Sequence, residues 1–377
     1  MKKKWAAPAR VTQEVTDLTI CRAMLAGWVF LYHIDLHAGF ATHLGPFSGL
    51  IRRGYLGVDG FFILSGLILS QVHVEFAKSF HGTFRFWLKR LVRIYPVHLA
   101  TILILLALAT AGSAAGITAR DPARFSHASL LANLLLVHGW GFSDTLAWNY
   151  PSWSVSSEWA GYLLFPLLFF IVASWSPLLA IPLTTFTIPV LGMLAFTHGH
   201  SINITGRLVL LRFFMEFLTG ITAAKLLPVA AHNLPPRVPA AAGLALVLLG
   251  AALPYDLISL VGLWLALVSL ALLAHAGGRP VFGRPGILRA LGLLSYSFYM
   301  SFAIIEMLLA QLYRRQGMDP AAHQLLYTAQ MTALTFVLAA ALYFIVERPF
   351  RRLGDRFLAP PGAPVKTKPL AATPSQR

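Results

Sequence analysis

Cysteine occurs once in this sequence, at Cys21, which excludes an internal disulfide and any thiolate metal cluster. Charge is also scarce: 12% of residues are charged, about half the fraction usual in soluble domains. Acids are the rarer sign, 14 Asp and Glu against 30 Lys and Arg, for a net charge of +16. No window alternates apolar and polar residues strongly enough for a membrane barrel. No soluble domain and no internal repeat stands out. What remains is apolar: 57% of the chain is hydrophobic, in runs such as "HLATILILLALATAGSAAG", "YLLFPLLFFIVA" and "VGLWLALVSLALLAHA". A bilayer crossing needs about 20 such residues. In lipid, helices satisfy their own backbone. The fold class expected is therefore all-α, a polytopic membrane helical bundle of about ten transmembrane helices.

The spans are expected near residues 18–38, 55–74, 95–116, 153–173, 177–197, 207–227, 238–254, 256–275, 289–312 and 324–346. The first is read as a retained helix, because Arg22 interrupts a signal-like core. Segment 127–141, "HASLLANLLLVHGWG", is either an eleventh span or a helix outside the bilayer. A net +16 in a soluble protein points to nucleic acid. Here the basic residues cluster between apolar runs: Lys2, Lys3 and Lys4; Lys78, Arg85, Lys89, Arg90 and Arg93; Arg279, Arg284 and Arg289; and "ERPFRR" at the end. Ten spans put all four clusters on one face, the cytoplasmic one by the positive-inside rule, although Arg52, Arg53, Arg314 and Arg315 then fall outside. No nucleic-acid partner is expected. Residues 1–17 read as a cytoplasmic segment with both termini inside, 18–353 as the membrane domain, and 354–377 as a Pro-rich, disordered cytoplasmic tail.

The first span carries Arg22, His33, Asp35 and His37. Arg22 and His33 are eleven residues apart, three turns, so they share a face about 16 Å apart along the axis. His37 joins that face and Asp35 points away. Charge facing lipid costs several kcal/mol, so the stripe is expected to face a bundle interior or a wet cavity. The plainer alternative has Arg22 snorkelling to headgroups and the histidines at the interface. A metal is not expected, because no acidic helix partner completes a site around His33 and His37. A neutral imidazole near pH 7 is suited to moving a proton.

Three further stretches carry chemistry. "RRGYLGVDGFFILSGLILS" has glycines that suit close helix packing, and Asp59, which either starts a helix or pairs with an arginine. "FRFWLKRLVRIYP" places Lys89, Arg90 and Arg93 in a cationic ridge before Pro96, which is read as the start of the third helix. The ridge either anchors on anionic lipid or seats a polyphosphate. "NYPSWSVSSEWAGYLLFP" places Ser154, Ser157, Glu158 and Gly161 on one helical face. Glu158 is either a dipole-favoured residue of a first turn or a carboxylate at the depth of His33, able to orient its imidazole.

Taken together, Arg22 and His33, then "GYLGVDGFFILSG", "RLVRIYP", "PSWSVSSEW", "SYSFYMSF" and "ERPFRR" in that order, resemble membrane acyltransferase family 3. These are the integral-membrane O-acyltransferases of bacteria and some animals. The resemblance covers about residues 17–353. It implies transfer of an acyl group, commonly acetyl from acetyl-CoA, to a hydroxyl, most often O-acetylation of a polysaccharide, at a bacterial inner (plasma) membrane. It implies that His33, Glu158 and Arg22 are catalytic, and that Arg90 and Arg93, with Lys89 beside them, engage the CoA phosphates. Arg22 or Ser157 is expected to steady an oxyanion. Trp159 stands where the family often has a second Glu. The expected picture is one passage, with a pantetheine arm threading from the cationic ridge to His33. The expected partners are acyl-CoA, a glycan or lipid-linked glycan acceptor, and the bilayer. The alternatives are acylation of a secondary metabolite or lipid-linked sugar, and a transporter or flippase without acyl chemistry. Against the last, no inverted repeat with paired broken helices is visible.

Overall fold

The structure is a computed structural model that describes residues 16–72, 79–117, 121–142, 146–233, 235–276, 281–282 and 286–358. Lys2, Lys3, Lys4, Lys78, Arg279, Arg284 and the Pro-rich tail lie outside the described residues. In chain order the helices are α1 (Thr16–Ala38), α2 (Ser48–Arg52), α3 (Leu56–Val72), α4 (Phe80–Ala114), α5 (His127–Leu134), α6 (Trp153–Ser174) and α7 (Pro177–Thr197). They continue with α8 (Val209–Asn233), α9 (Arg237–Ala252), α10 (Asp256–His275), α11 (Ile287–Gln316), α12 (Gln324–Leu342) and α13 (Arg348–Phe357). No strand occurs among the described residues.

This is an all-α polytopic membrane bundle. Among the described residues eight helical segments are long and apolar enough to cross a bilayer. Two of the ten expected spans fall outside that set for physical reasons. Helix α1 has the length but carries Asp17, Arg22, Asp35 and two histidines. Helix α9 is apolar but has 16 residues. The lipid-facing sides show the expected inversion of a soluble surface: Phe170, Met193, Phe196 and Val337 are all more than half exposed.

The sequence reading needs correction at α4. Pro96 does not start a helix; it lies inside one of 35 residues that begins at Ser79, whose side chain accepts the Gly82 N–H. Phe86, Ile94 and Val97 are buried on one side across the proline, and that continuous packed face carries the helix through. The Tyr296 hydroxyl donates to the Ile94 carbonyl at 2.6 Å, beside the position where proline removes a backbone donor. Segment 127–141 also resolves: α5 has eight residues, about 12 Å, too short to cross. His98 of α4 meets the Asn133 carbonyl at 2.9 Å, and His138 meets Ser152 Oγ at 2.8 Å, so the loop is tied to both flanking spans.

At the centre, α1 packs against α3, α10, α11 and α12, and α3 packs against α8. The α3–α8 crossing is set by two glycines. A Cβ on Gly66 would strike the Phe217 carbonyl, and one on Gly220 would strike the Ile63 carbonyl. The second-helix glycines thus serve packing. Gly220→Val should force the two backbones apart and destabilise by about 1–3 kcal/mol, read as a lower thermal midpoint in detergent. Beside the crossing, Asp59 is held by Arg212 through paired bonds of 2.8 and 2.7 Å, with both side chains buried. Both readings of Asp59 hold: it lies in the first turn of α3 and it pairs with Arg212.

Candidate active site

Two polar centres lie along α1, one at each end. At the Arg22 end is a cavity of about 500 Å³. Four guanidiniums reach its wall: Arg22 of α1, Arg90 and Arg93 of α4, and Arg351 of α13. Arg90 and Arg93 are three apart and flank the buried face of α4, so the helix directs both inward. Lys89 is rotated about 100° from Arg90 and is not among the lining residues. A single π-helical turn, Tyr343–Glu347, joins α12 to α13. Such a turn shifts the helix register, and here Arg351 and Asp355 follow it on the cavity side. Glu347 within it is buried, accepts from Ser297 Oγ at 2.6 Å and pairs with Arg351 at 3.4 Å.

Glu158 belongs to this cavity. It accepts hydrogen bonds from Ser65 Oγ at 2.7 Å and from the Tyr162 hydroxyl. Arg90 lies over the Tyr162 ring, 5.7 Å from its centroid. Ser154 also lines the cavity, whereas Ser157 is buried and donates to the Trp153 carbonyl at 3.0 Å. Ser157 is therefore turned away from the position where an oxyanion donor was expected. Gln71 adds a buried amide nitrogen on the wall that has no hydrogen-bond partner among the described residues.

The second centre surrounds His33. Its Nδ1 is 2.8 Å from the Tyr150 hydroxyl and 3.4 Å from Glu306 Oε2. Tyr150 donates to Glu306 Oε2 at 2.5 Å. His37 Nε2 lies 2.8 Å from Glu306 Oε1. His33 is 15% exposed, His37 26% and Glu306 13%, so the cluster is sheltered but reachable. Arg124 stacks on the Tyr150 ring at 5.3 Å. Asp35 faces elsewhere, accepting the Ala41 N–H at 2.6 Å.

The carboxylate beside His33 is thus Glu306 of α11, not Glu158. The two depths differ because Glu158 sits a turn deeper in α6 than Ser154, toward the Arg22 end. Glu306 and Tyr150 were missed by the sequence reading. A signal was present: in "SFAIIEMLLA" Glu306 is a lone acid inside an apolar run, and such residues are functional candidates by default. The same residue is the acidic helix partner that was not expected beside His33 and His37. It bonds His37 directly and His33 through the Tyr150 hydroxyl, and no group of three His, Cys, Asp or Glu side chains among the described residues is arranged as metal donors.

His33 does not line the cavity. Tyr299 closes the wall between them. Its hydroxyl is 2.9 Å from Ser154 Oγ and 3.1 Å from the Pro151 carbonyl. Its ring packs on Phe302 at 5.7 Å, and Phe302 packs on His33 at 4.7 Å. In place of one continuous passage, an aromatic layer of Tyr299 and Phe302 separates the cavity from His33.

The fold and these two centres define a multi-pass helical membrane protein with a cationic cavity beneath a histidine–carboxylate cluster. The chain belongs to acyltransferase family 3: the family's model, described as an acyltransferase domain, matches residues 15–344. It is similar to the acyltransferase MdmB of Streptomyces mycarofaciens, 35% identical over 166 residues. That stretch is 42% of this chain and spans 40% of the relative's length. No solved structure matches.

Proposed function

We propose that the chain is an integral-membrane O-acyltransferase that moves an acyl group, acetyl from acetyl-CoA, to a hydroxyl of a cell-envelope or exported glycan. Its proposed home is the bacterial inner membrane, with the Arg22 end cytoplasmic, as the positive-inside rule expects. The observation that carries this reading is the guanidinium-lined cavity, one aromatic layer below the His33 cluster. Four arginines suit a polyphosphate, since guanidinium forks match phosphate oxygens. The orphaned Gln71 amide suits a polar group of the same ligand. The cavity falls in the size range of small-molecule sites, about 300–1,000 Å³. These residues fit an acyl-CoA, which when bound supplies the acyl carbon as a thioester.

Each residue then has a task. Arg90, Arg93 and Arg351 hold the anionic end. Ser154, bonded to the Tyr299 hydroxyl of the aromatic layer at 2.9 Å, donates toward the carbonyl oxygen as its charge develops, and Arg22 adds positive charge to the same cavity. Tyr299 and Phe302 keep water from the thioester and must yield for the acyl group to meet the acceptor. His33 takes the hydroxyl proton as the oxygen attacks the acyl carbon. The C–S bond breaks, and the imidazolium returns the proton to the leaving sulfur.

The double variant Arg90→Gln/Arg93→Gln tests the donor half. Each charge-assisted bond is worth about 1.5–3 kcal/mol, roughly ten-fold or more in affinity. KM for acetyl-CoA should rise about 100-fold, with a smaller change in kcat, in labelled-acetyl transfer by membranes from the native host. An unchanged KM would remove the cavity from the donor's path. Membranes that carry the protein yet neither hydrolyse acetyl-CoA nor transfer its label would favour a transporter.

A further inference from the structure

We propose that Glu306 is the positioning residue of the acid–base site: acting through the Tyr150 hydroxyl, it fixes the His33 tautomer so that Nε2 is the atom that removes the acceptor's proton. This rests on the reading of His33 as general base.

The argument is a count of protons. The Tyr150 hydroxyl has one, and two neighbours within hydrogen-bond reach: Glu306 Oε2 at 2.5 Å and His33 Nδ1 at 2.8 Å. An ionised carboxylate only accepts. Tyr150 therefore donates to Glu306, and its oxygen is left to accept. The donor it accepts from is His33 Nδ1–H. The imidazole then carries its lone pair on Nε2, the nitrogen that none of these partners occupies. His37 makes the second bond to the carboxylate, from Nε2 to Oε1 at 2.8 Å, and leaves Oε2 to Tyr150. Four side chains from three elements converge here: His33 and His37 from α1, Glu306 from α11, and Tyr150 from the turn Tyr150–Ser152 before α6. Tyr32 and Phe302 pack on the His33 ring at 5.1 and 4.7 Å, which restricts its rotation.

The same chain of bonds works in the transition state. As the acceptor O–H bond breaks, its proton moves to Nε2 and the ring becomes a cation. The Nδ1–H bond to Tyr150, with Glu306 behind it, places negative charge along the axis of that cation. When Nε2 returns the proton to the sulfur, the ring is back in its starting tautomer without turning over.

Glu306→Gln distinguishes this role from packing, because it keeps the volume and reverses one bond. The amide carries no negative charge and offers one accepting oxygen where the carboxylate had two. With its NH₂ toward Tyr150, the hydroxyl accepts from Gln and donates to His33 Nδ1, which puts the proton on Nε2 and removes the base; with its NH₂ toward His37, the His33 imidazolium loses the negative charge behind Tyr150. An equivalent tautomer error in serine proteases costs about 10⁴-fold in kcat. With labelled acetyl-CoA and membranes of the native host, kcat should fall at least 100-fold in Glu306→Gln, with KM for acetyl-CoA within about two-fold. Glu306→Asp restores the carboxylate and should recover part of the loss. Tyr150→Phe leaves His33 Nδ1 facing Glu306 directly and should lose about ten-fold. Wild-type kcat in Glu306→Gln, with His33→Ala inert, overturns the positioning role and leaves the base reading intact. Full activity in His33→Ala overturns both. Loss of folded protein with normal kcat per folded molecule in Glu306→Gln and Tyr150→Phe reduces the cluster to a structural one.

Discussion

Replacing His33 with alanine should lower acyl transfer by about 10²- to 10⁴-fold, the usual contribution of a positioned general base. The loss should appear in kcat, with acetyl-CoA binding unchanged, because His33 lies outside the donor cavity. No second imidazole replaces it: His37 is engaged with Glu306 at 2.8 Å and stands a helical turn away. Alanine also empties space against Phe302 and Tyr150, so His33→Gln is the companion variant. Glutamine fills much of that space and forms hydrogen bonds, yet takes up no proton near neutral pH. If both variants insert normally, give wild-type yields in detergent and transfer nothing, the defect is chemical. Transfer at the wild-type rate in either would remove His33 from the reaction.

Arg212→Met should destabilise the folded protein by about 3–5 kcal/mol, the cost of leaving a buried charge uncompensated. Arg212 is 1% exposed, and Asp59 and Glu216 are fully buried. The guanidinium bonds Asp59 through two nitrogens, donates from the third to the Ile204 carbonyl at 3.0 Å, and lies 5.5 Å from the Trp153 ring. It also lies 3.7 Å from Glu216, whose carboxylate oxygens have no hydrogen-bond partner among the described residues. Methionine matches the aliphatic stem and none of this. Arg212→Lys should fall between, since an ammonium is a point charge and cannot form the paired bonds. Adding Asp59→Asn and Glu216→Gln to Arg212→Met should restore much of the thermal midpoint, because no uncompensated charge is then buried. An unchanged midpoint in Arg212→Met alone would show that the network contributes nothing to stability.

Much of the fold was legible because a bilayer imposes a single rule. Backbone groups without water must bond within a helix, so apolar runs of the right length become helices. The expected spans 177–197 and 256–275 coincide with α7 and α10. Legibility failed where side-chain packing overrode a local signal. Pro96 reads as a boundary, but the buried face from Phe86 to Val97 holds α4 in one piece. The site shows the same division. Arg22, Arg90 and Arg93 stood out as cations near the ends of apolar runs, and all three reach the cavity. Lys89 stood out by the same test and does not, since spacing along the chain leaves open which flank of a helix faces inward.

By itself the sequence determined the class of the molecule: charge too sparse for a soluble domain, apolar runs of bilayer length, and a histidine and an arginine three turns apart on the first of them. Only the tertiary structure decided the partners. Glu306 is 273 residues from His33 in the chain and 3.4 Å away in space, while Glu158, which has the more suggestive motif, lines the cavity at the Arg22 end of α1. The physical reason is that helical periodicity fixes which residues share a face of one helix. Which face meets which neighbour, and at what depth, is set by the packing of side chains far apart in sequence, as where Gly66 and Gly220 let α3 and α8 close on one another.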